Sequence, residues 1–167
     1  FGGAPRASIA MGKEDYEKAE RILGNCVFTL VLLAAALTLG FFVFAEPVLY
    51  AFGASDATFP FADSYLSIYL LGCTFVTVSL GMNSYINAQG FARMGMVTTL
   101  IGAVLNIILD PLFIFTMGMG IRGAAIATVI SQLASAIWTV RFLTSPKAIL
   151  RIRVSCMRPC LKTIRDI

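Results

Sequence analysis

The chain of 167 residues has no histidine and a single tryptophan. Without an imidazole, neither a Ser-His-Asp nor a Cys-His constellation can be completed within it, which excludes nucleophilic catalysis of those kinds. The four cysteines are Cys26 and Cys73, inside apolar runs, and Cys156 and Cys160, in a basic tail. A Cys-x3-Cys pair with no histidine is a poor zinc site, and free thiols are expected at all four. No Walker A sequence is present, so nothing here binds a nucleotide by that route. Charge is scarce too. Only 13% of the residues are charged and 58% are hydrophobic, with a mean hydropathy of +0.84, far too apolar for a soluble domain of ordinary usage.

The chain has instead four long apolar runs, about 22–44, 65–88, 94–116 and 121–143. The first is 23 residues without a charge, about 35 Å as a helix and enough to cross a bilayer with some tilt. The fold class is therefore all-α, a polytopic transmembrane helix bundle over residues 1–143. Phe1 to Met11 reads as the end of a helix with Gly2, Gly3 and Pro5 as breakers. Gly12 to Arg21 is a charged collar that Asp15 should cap. Ala45 to Ser64 is a polar connection without a basic residue, and Met117-Gly118-Met119-Gly120 is a tight reversal. The chain opens on Phe-Gly-Gly-Ala-Pro and stops at Arg165-Asp166-Ile167 in mid-pattern; it is expected to be an internal stretch of a larger, transporter-sized protein.

The formal charge of +4 does not indicate a nucleic-acid partner, because the basic residues sit at the ends of apolar runs rather than on one folded face. Arg6, Lys13, Lys18 and Arg21 precede the first span, Arg93 lies between the second and third, and Arg141, Lys147, Arg151, Arg153, Arg158, Lys162 and Arg165 follow the fourth. Arg122 alone lies on the opposite side. Positive residues in short loops are retained in the cytoplasm, so the residues before span one and after span four are expected there. Residues 144–167 should be a basic cytoplasmic linker, broken from the last helix at Ser145-Pro146 and lying along an anionic lipid face.

Polar residues inside the spans are few and patterned. Asp110 is the only carboxylate in a long apolar run, and a charge at bilayer depth marks an ion or proton path when it faces a bundle interior. Asn106 is one turn back on the same face, Gly102 a further turn back leaves room, and Pro111 removes a backbone N–H and should kink the helix. In span two, Gly72, Ser79, Asn83 and Asn87 gather on one face; in span four, Thr128, Ser131, Gln132, Ser135 and Thr139 do the same within roughly 100°. Each stripe either lines a cavity or holds helices together.

Several stretches, taken in order, carry a resemblance over nearly the whole chain. They are Gly-Gly-Ala-Pro-x-x-Ser-x-Ala from Gly2 to Ala10, Lys18-Ala19-Glu20-Arg21, Asn87-Ala88-Gln89-Gly90, Leu105-Asn106-x-x-Leu109-Asp110-Pro111-Leu112-Phe113-Ile114-Phe115 and Gly123-Ala124-Ala125-x-Ala127-Thr128-x-Ile130-Ser131-Gln132. Together they resemble the amino-terminal half of a multidrug and toxic compound extrusion (MATE) transporter of the DinF-like and NorM-like branches. The resemblance implies twelve helices in two six-helix bundles, with these spans as helices three to six of a partial first bundle and a second bundle beyond the linker. It implies no enzyme and no cofactor, but a secondary-active antiporter in the plasma membrane that exports small organic, often cationic, compounds in exchange for Na⁺ or H⁺. It also implies that Asn106, Asp110 and Thr128 bind the coupling cation, together with an aspartate on a helix one that this sequence does not include. Na⁺ and H⁺ would then compete for one place at the carboxyl group. A lipid-linked oligosaccharide flippase of related plan, a non-transporting membrane subunit and an intramembrane aspartyl protease are the alternatives; the last needs a Gly-x-Gly-Asp motif that is missing here.

Overall fold

A computed structural model of the protein describes residues 3–152. Among them every regular element is helical: α1 Gly3–Gly12, α2 Tyr16–Val43, α3 Ala45–Ala51, α4 Phe59–Ala88, α5 Ala92–Pro111, a π-helical segment Leu112–Thr116, and α6 Gly120–Thr144. Four stretches are long and apolar enough to cross a membrane: α2, α4, α5 with its π segment, and α6. Asp15 caps α2 as expected, its Oδ1 accepting the Lys18 N–H at 3.1 Å, and α2 then runs unbroken from the charged collar into the span.

Two local expectations are corrected. Gly3 and Pro5 lie in the first turn of α1 rather than breaking it, because a proline there lacks only an N–H that has no intrahelical partner. The second span, expected over about 65–88, begins earlier, inside the polar connection Ala45–Ser64. That connection contains α3 and the start of α4, which opens at Phe59 with Pro60 in its first turn. Tyr50 stacks on Phe59 with ring centroids 5.2 Å apart and donates its hydroxyl to Asp56 Oδ1 at 2.9 Å, a bond that holds the phenol above its usual pKa.

Helix α4 packs most extensively on α6 and also on α2, while α5 packs chiefly on α6. The dry core sits at one end, where Leu23, Met82, Ile86, Leu143 and Leu150 are fully buried. Elsewhere the helices present Leu32, Leu39, Leu71 and Ile107 outward, apolar surface that a spanning helix can offer because its backbone polar groups are satisfied internally. At the reversal before α6, Gly118 and Gly120 take φ of +65° and +55°, which only glycine adopts freely. Gly123 then brings α6 against the π segment: an added Cβ would stand 2.8 Å from the Phe113 carbonyl.

The start of the basic tail departs from the expected surface segment. Ala148 and Leu150 are buried in the bundle core. The Gln89 side chain, itself buried, donates to the Tyr85 carbonyl at 3.1 Å and accepts the Leu150 N–H at 2.8 Å, while the Ile152 N–H reaches the Leu143 carbonyl. Two apolar side chains in a basic stretch suffice to draw it inward, since the core offers them burial that a lipid surface would share with the charges. Arg153, Arg158, Lys162 and Arg165, and the Cys156 and Cys160 pair, lie outside the described residues. Cys26 and Cys73 are free thiols.

Candidate cation and cavity site

Four-residue spacing along α5 aims Thr98, Gly102, Asn106 and Asp110 at α6. At the far end, Asn106 Nδ2 donates to Asp110 Oδ1 at 3.2 Å and lies 3.5 Å from Thr128 Oγ1 of α6. Thr128 directs its own proton to the Ala124 carbonyl at 2.9 Å, so a hydroxyl lone pair is left for the amide. Asn106 thus links Asp110 to Thr128, and all three are half-buried. Pro111 follows at once: the α-helix ends there and continues as the π segment, a widening that often accompanies functional positions.

From Asn106 a cavity of about 240 Å³ extends between α4, α5 and α6. Ser79, Leu80 and Asn83 line it from α4, Thr98, Thr99, Gly102, Ala103 and Asn106 from α5, and Thr128, Ser131, Gln132 and Ser135 from α6. Asn83, Ser131, Gln132 and Ser135, from the two polar stripes of the sequence, are among them. The two stripes, however, split by depth. Gly72 packs on the Val129 side chain, Asn87 is exposed, and Thr139 is buried, donating to the Ser135 carbonyl at 2.8 Å. The space beside Gly102 is taken by Ser135, whose Oγ would lie 2.7 Å from an added Cβ and bonds across to the Thr98 carbonyl at 3.1 Å. Thr98 and Thr99 escaped the sequence reading, although Thr98 stands two four-residue steps before Asn106 on the same face.

Chemically the site is a single carboxylate with neutral oxygens. No group of three or more His, Cys, Asp or Glu side chains gathers among the described residues, so transition-metal chemistry has no ligand set there. One negative charge with an amide and a hydroxyl matches a monovalent hard cation or a proton; half a turn of the Asn106 amide sets its oxygen where the nitrogen stands, and three oxygens then face one point.

Comparison with known proteins gives the same picture of the fold. The MatE family profile matches residues 1–112. The chain is 25% identical over 167 residues to the multidrug export protein MepA of Staphylococcus saprophyticus, covering 100% of this chain and 37% of that protein. It is 24% identical over 166 residues to MepA of Staphylococcus aureus, covering 99% and 37%. Among solved structures, the inward-facing conformation of a multidrug resistance MATE family transporter of the MOP superfamily superposes with a TM-score of 0.92 at 23% identity, over 99% of this chain and 38% of that one. An outward-facing conformation superposes at 0.90, also at 23% identity, over 99% and 37%. The chain therefore spans little more than a third of the length of these relatives.

Proposed function

The chain belongs to the MatE family and is a multi-pass membrane protein with a partial MATE bundle, and from that premise we propose that it works within a secondary-active antiporter exporting small organic, often cationic, compounds in exchange for Na⁺ or H⁺. The carrying observation is the meeting of Asn106, Asp110 and Thr128 across α5 and α6. An uncompensated carboxylate at that depth is costly, and a neutral amide and hydroxyl offset little of the cost. A bound cation or proton offsets it directly. Because the cation neutralises Asp110, occupancy changes the charge that an incoming organic cation meets, which is how exchange is enforced at a shared carboxylate. The residues before α2 and after α6 are cytoplasmic on the distribution of Lys and Arg, and Arg122 faces the other side. Coupled exchange needs two bundles around a site near the midplane, so the activity belongs to the full-length protein, with a second bundle beside this one and lipid surrounding both.

Asp110→Asn in the full-length transporter tests the reading. The isostere keeps the packing and removes the titratable charge, so membrane insertion stays and cation-dependent efflux falls by at least tenfold. A well-expressed Asp110→Asn protein with normal efflux contradicts a coupling role.

A further inference from the structure

Helix α6 does not run on into the tail. Ser145 takes an extended ψ of 157° and precedes Pro146, whose ring disfavours helical backbone before it and removes an N–H. The chain nevertheless stays on the bundle. The Ile152 N–H returns to the Leu143 carbonyl at 3.1 Å, and between them Ala148 and Leu150 are turned in while Lys147, Ile149 and Arg151 are turned out. Leu150 is fully buried, in one apolar cluster with Leu23 of α2, Ile86 of α4 and Leu143 of α6.

One polar contact decides whether the segment can sit there. A backbone N–H buried outside a helix needs an acceptor, and for Leu150 the acceptor is Gln89 Oε1 at 2.8 Å. The amide cannot be turned over, because its nitrogen end donates to the Tyr85 carbonyl at 3.1 Å. Its backbone is held as well. Gly90 turns with a φ of +84°, the Phe91 N–H reaches back to the Ile86 carbonyl at 3.2 Å, and the Phe91 ring stands edge-on to Phe142 of α6 with centroids 5.3 Å apart. At the rim, the Arg151 N–H meets Glu20 Oε1 of α2 at 3.4 Å and its guanidinium donates to the Pro146 carbonyl at 3.1 Å. We infer that residues 145–152 are a strap fastened by Gln89, which ties together the ends of α2, α4 and α6 and makes the connection to the rest of the protein leave the bundle at Ile152 instead of at the end of α6. A pull on that connection then acts on three spanning helices as one body, as rocking of one bundle against another requires. With the strap unfastened, its eight residues would add up to roughly 26–29 Å of slack, at ~3.3–3.6 Å each, and the pull would reach α6 alone. The part played in transport rests on the antiport reading given above; the strap does not. Gln89 is a positioning residue, separated from Asp110 by the length of α5.

Amide hydrogen exchange on the full-length transporter reads the strap without any substitution. The amides of Leu150 and Ile152 should exchange about a hundredfold or more slower than in a free peptide of residues 144–152; exchange as fast as in the peptide overturns the strap. Gln89→Leu, close in volume and lacking the acceptor, should speed exchange at both amides at least tenfold while the α6 amides from Ala127 to Thr139 keep their rates, and unchanged exchange overturns the fastening by Gln89. Leu150→Ala is the second variant, since it keeps the N–H and removes only the apolar plug. It should loosen the strap in the same way, whereas Ile149→Ala, on the exposed side, should leave it as in wild type; equal exchange in these two variants overturns the docking of Leu150. In transport, Gln89→Leu and Leu150→Ala should slow turnover at least threefold with cation affinity within about twofold of wild type. Normal turnover with a loosened strap overturns its part in transport. If Asp110→Asn keeps normal coupled efflux while Gln89→Leu still frees the Leu150 amide, the coupling reading fails and the strap stands.

Discussion

Among the described residues Asp110 has a neutral partner, the Asn106 amide at 3.2 Å, and that amide in turn stands 3.5 Å from Thr128 Oγ1. Such an arrangement is either a cation site or ordinary interhelical packing, and the two differ in what a deletion changes. Packing hydrogen bonds inside membranes are worth about 0.6 kcal/mol on average, so as glue alone Thr128→Val should lower stability slightly and leave cation affinity within roughly threefold. As a ligand, Thr128→Val should weaken cation affinity by at least tenfold while the melting temperature hardly moves. Combining Thr128→Val with Asn106→Leu sharpens the contrast, because once one oxygen is gone the second loss should add little. A titration of Na⁺ or H⁺ on the four proteins reads this out, and strictly additive losses in affinity contradict shared ligation.

At the scale of elements, Asp110 owes its position to an interruption. The α5 helix ends at Pro111, the π segment takes over, and Gly123 of α6 touches the π segment's backbone. Because the obstacle at Gly123 is the Phe113 carbonyl and not the tip of a flexible side chain, Gly123→Ala should push α6 from the π segment, cost about 1–3 kcal/mol as overpacking does, and reduce efflux more than Gly12→Ala, at a position open to solvent. Thermal stability in detergent with parallel efflux assays checks it; equal behaviour of the two variants contradicts the close contact. The sequence made legible what depends on short-range spacing: the four crossing helices, the Asp15 cap, the reversal at Gly118 and Gly120, and the four-residue ladder that joins Asn106 to Asp110. It hid what depends on partners far along the chain. Gln89 and Leu150 are 61 residues apart, and nothing local in either marks the buried bond between them. The π segment was hidden for another reason, since Pro111 announces a disturbance without saying whether the helix bends, stops or widens.

For the whole molecule, the proposed orientation and the proposed coupling are separable. The proposed orientation sets Arg6 through Arg21, Arg93 and Arg141 onward on the cytoplasmic side and Arg122 on the other, and on that proposal the Tyr50 to Phe59 connection would lie outside the cell. With the native cysteines replaced, Ser55→Cys should be modified by an impermeant maleimide on intact cells, and Lys147→Cys only after the membrane is opened; the reverse pattern contradicts the orientation. Coupling is tested most directly by cation release from the purified full-length transporter loaded with Na⁺, or with protons at a pH where it binds them, when a lipophilic organic cation is added. The account predicts release from the wild-type protein and at least tenfold less from Asp110→Asn with its fold intact; release from Asp110→Asn equal to wild type would contradict it.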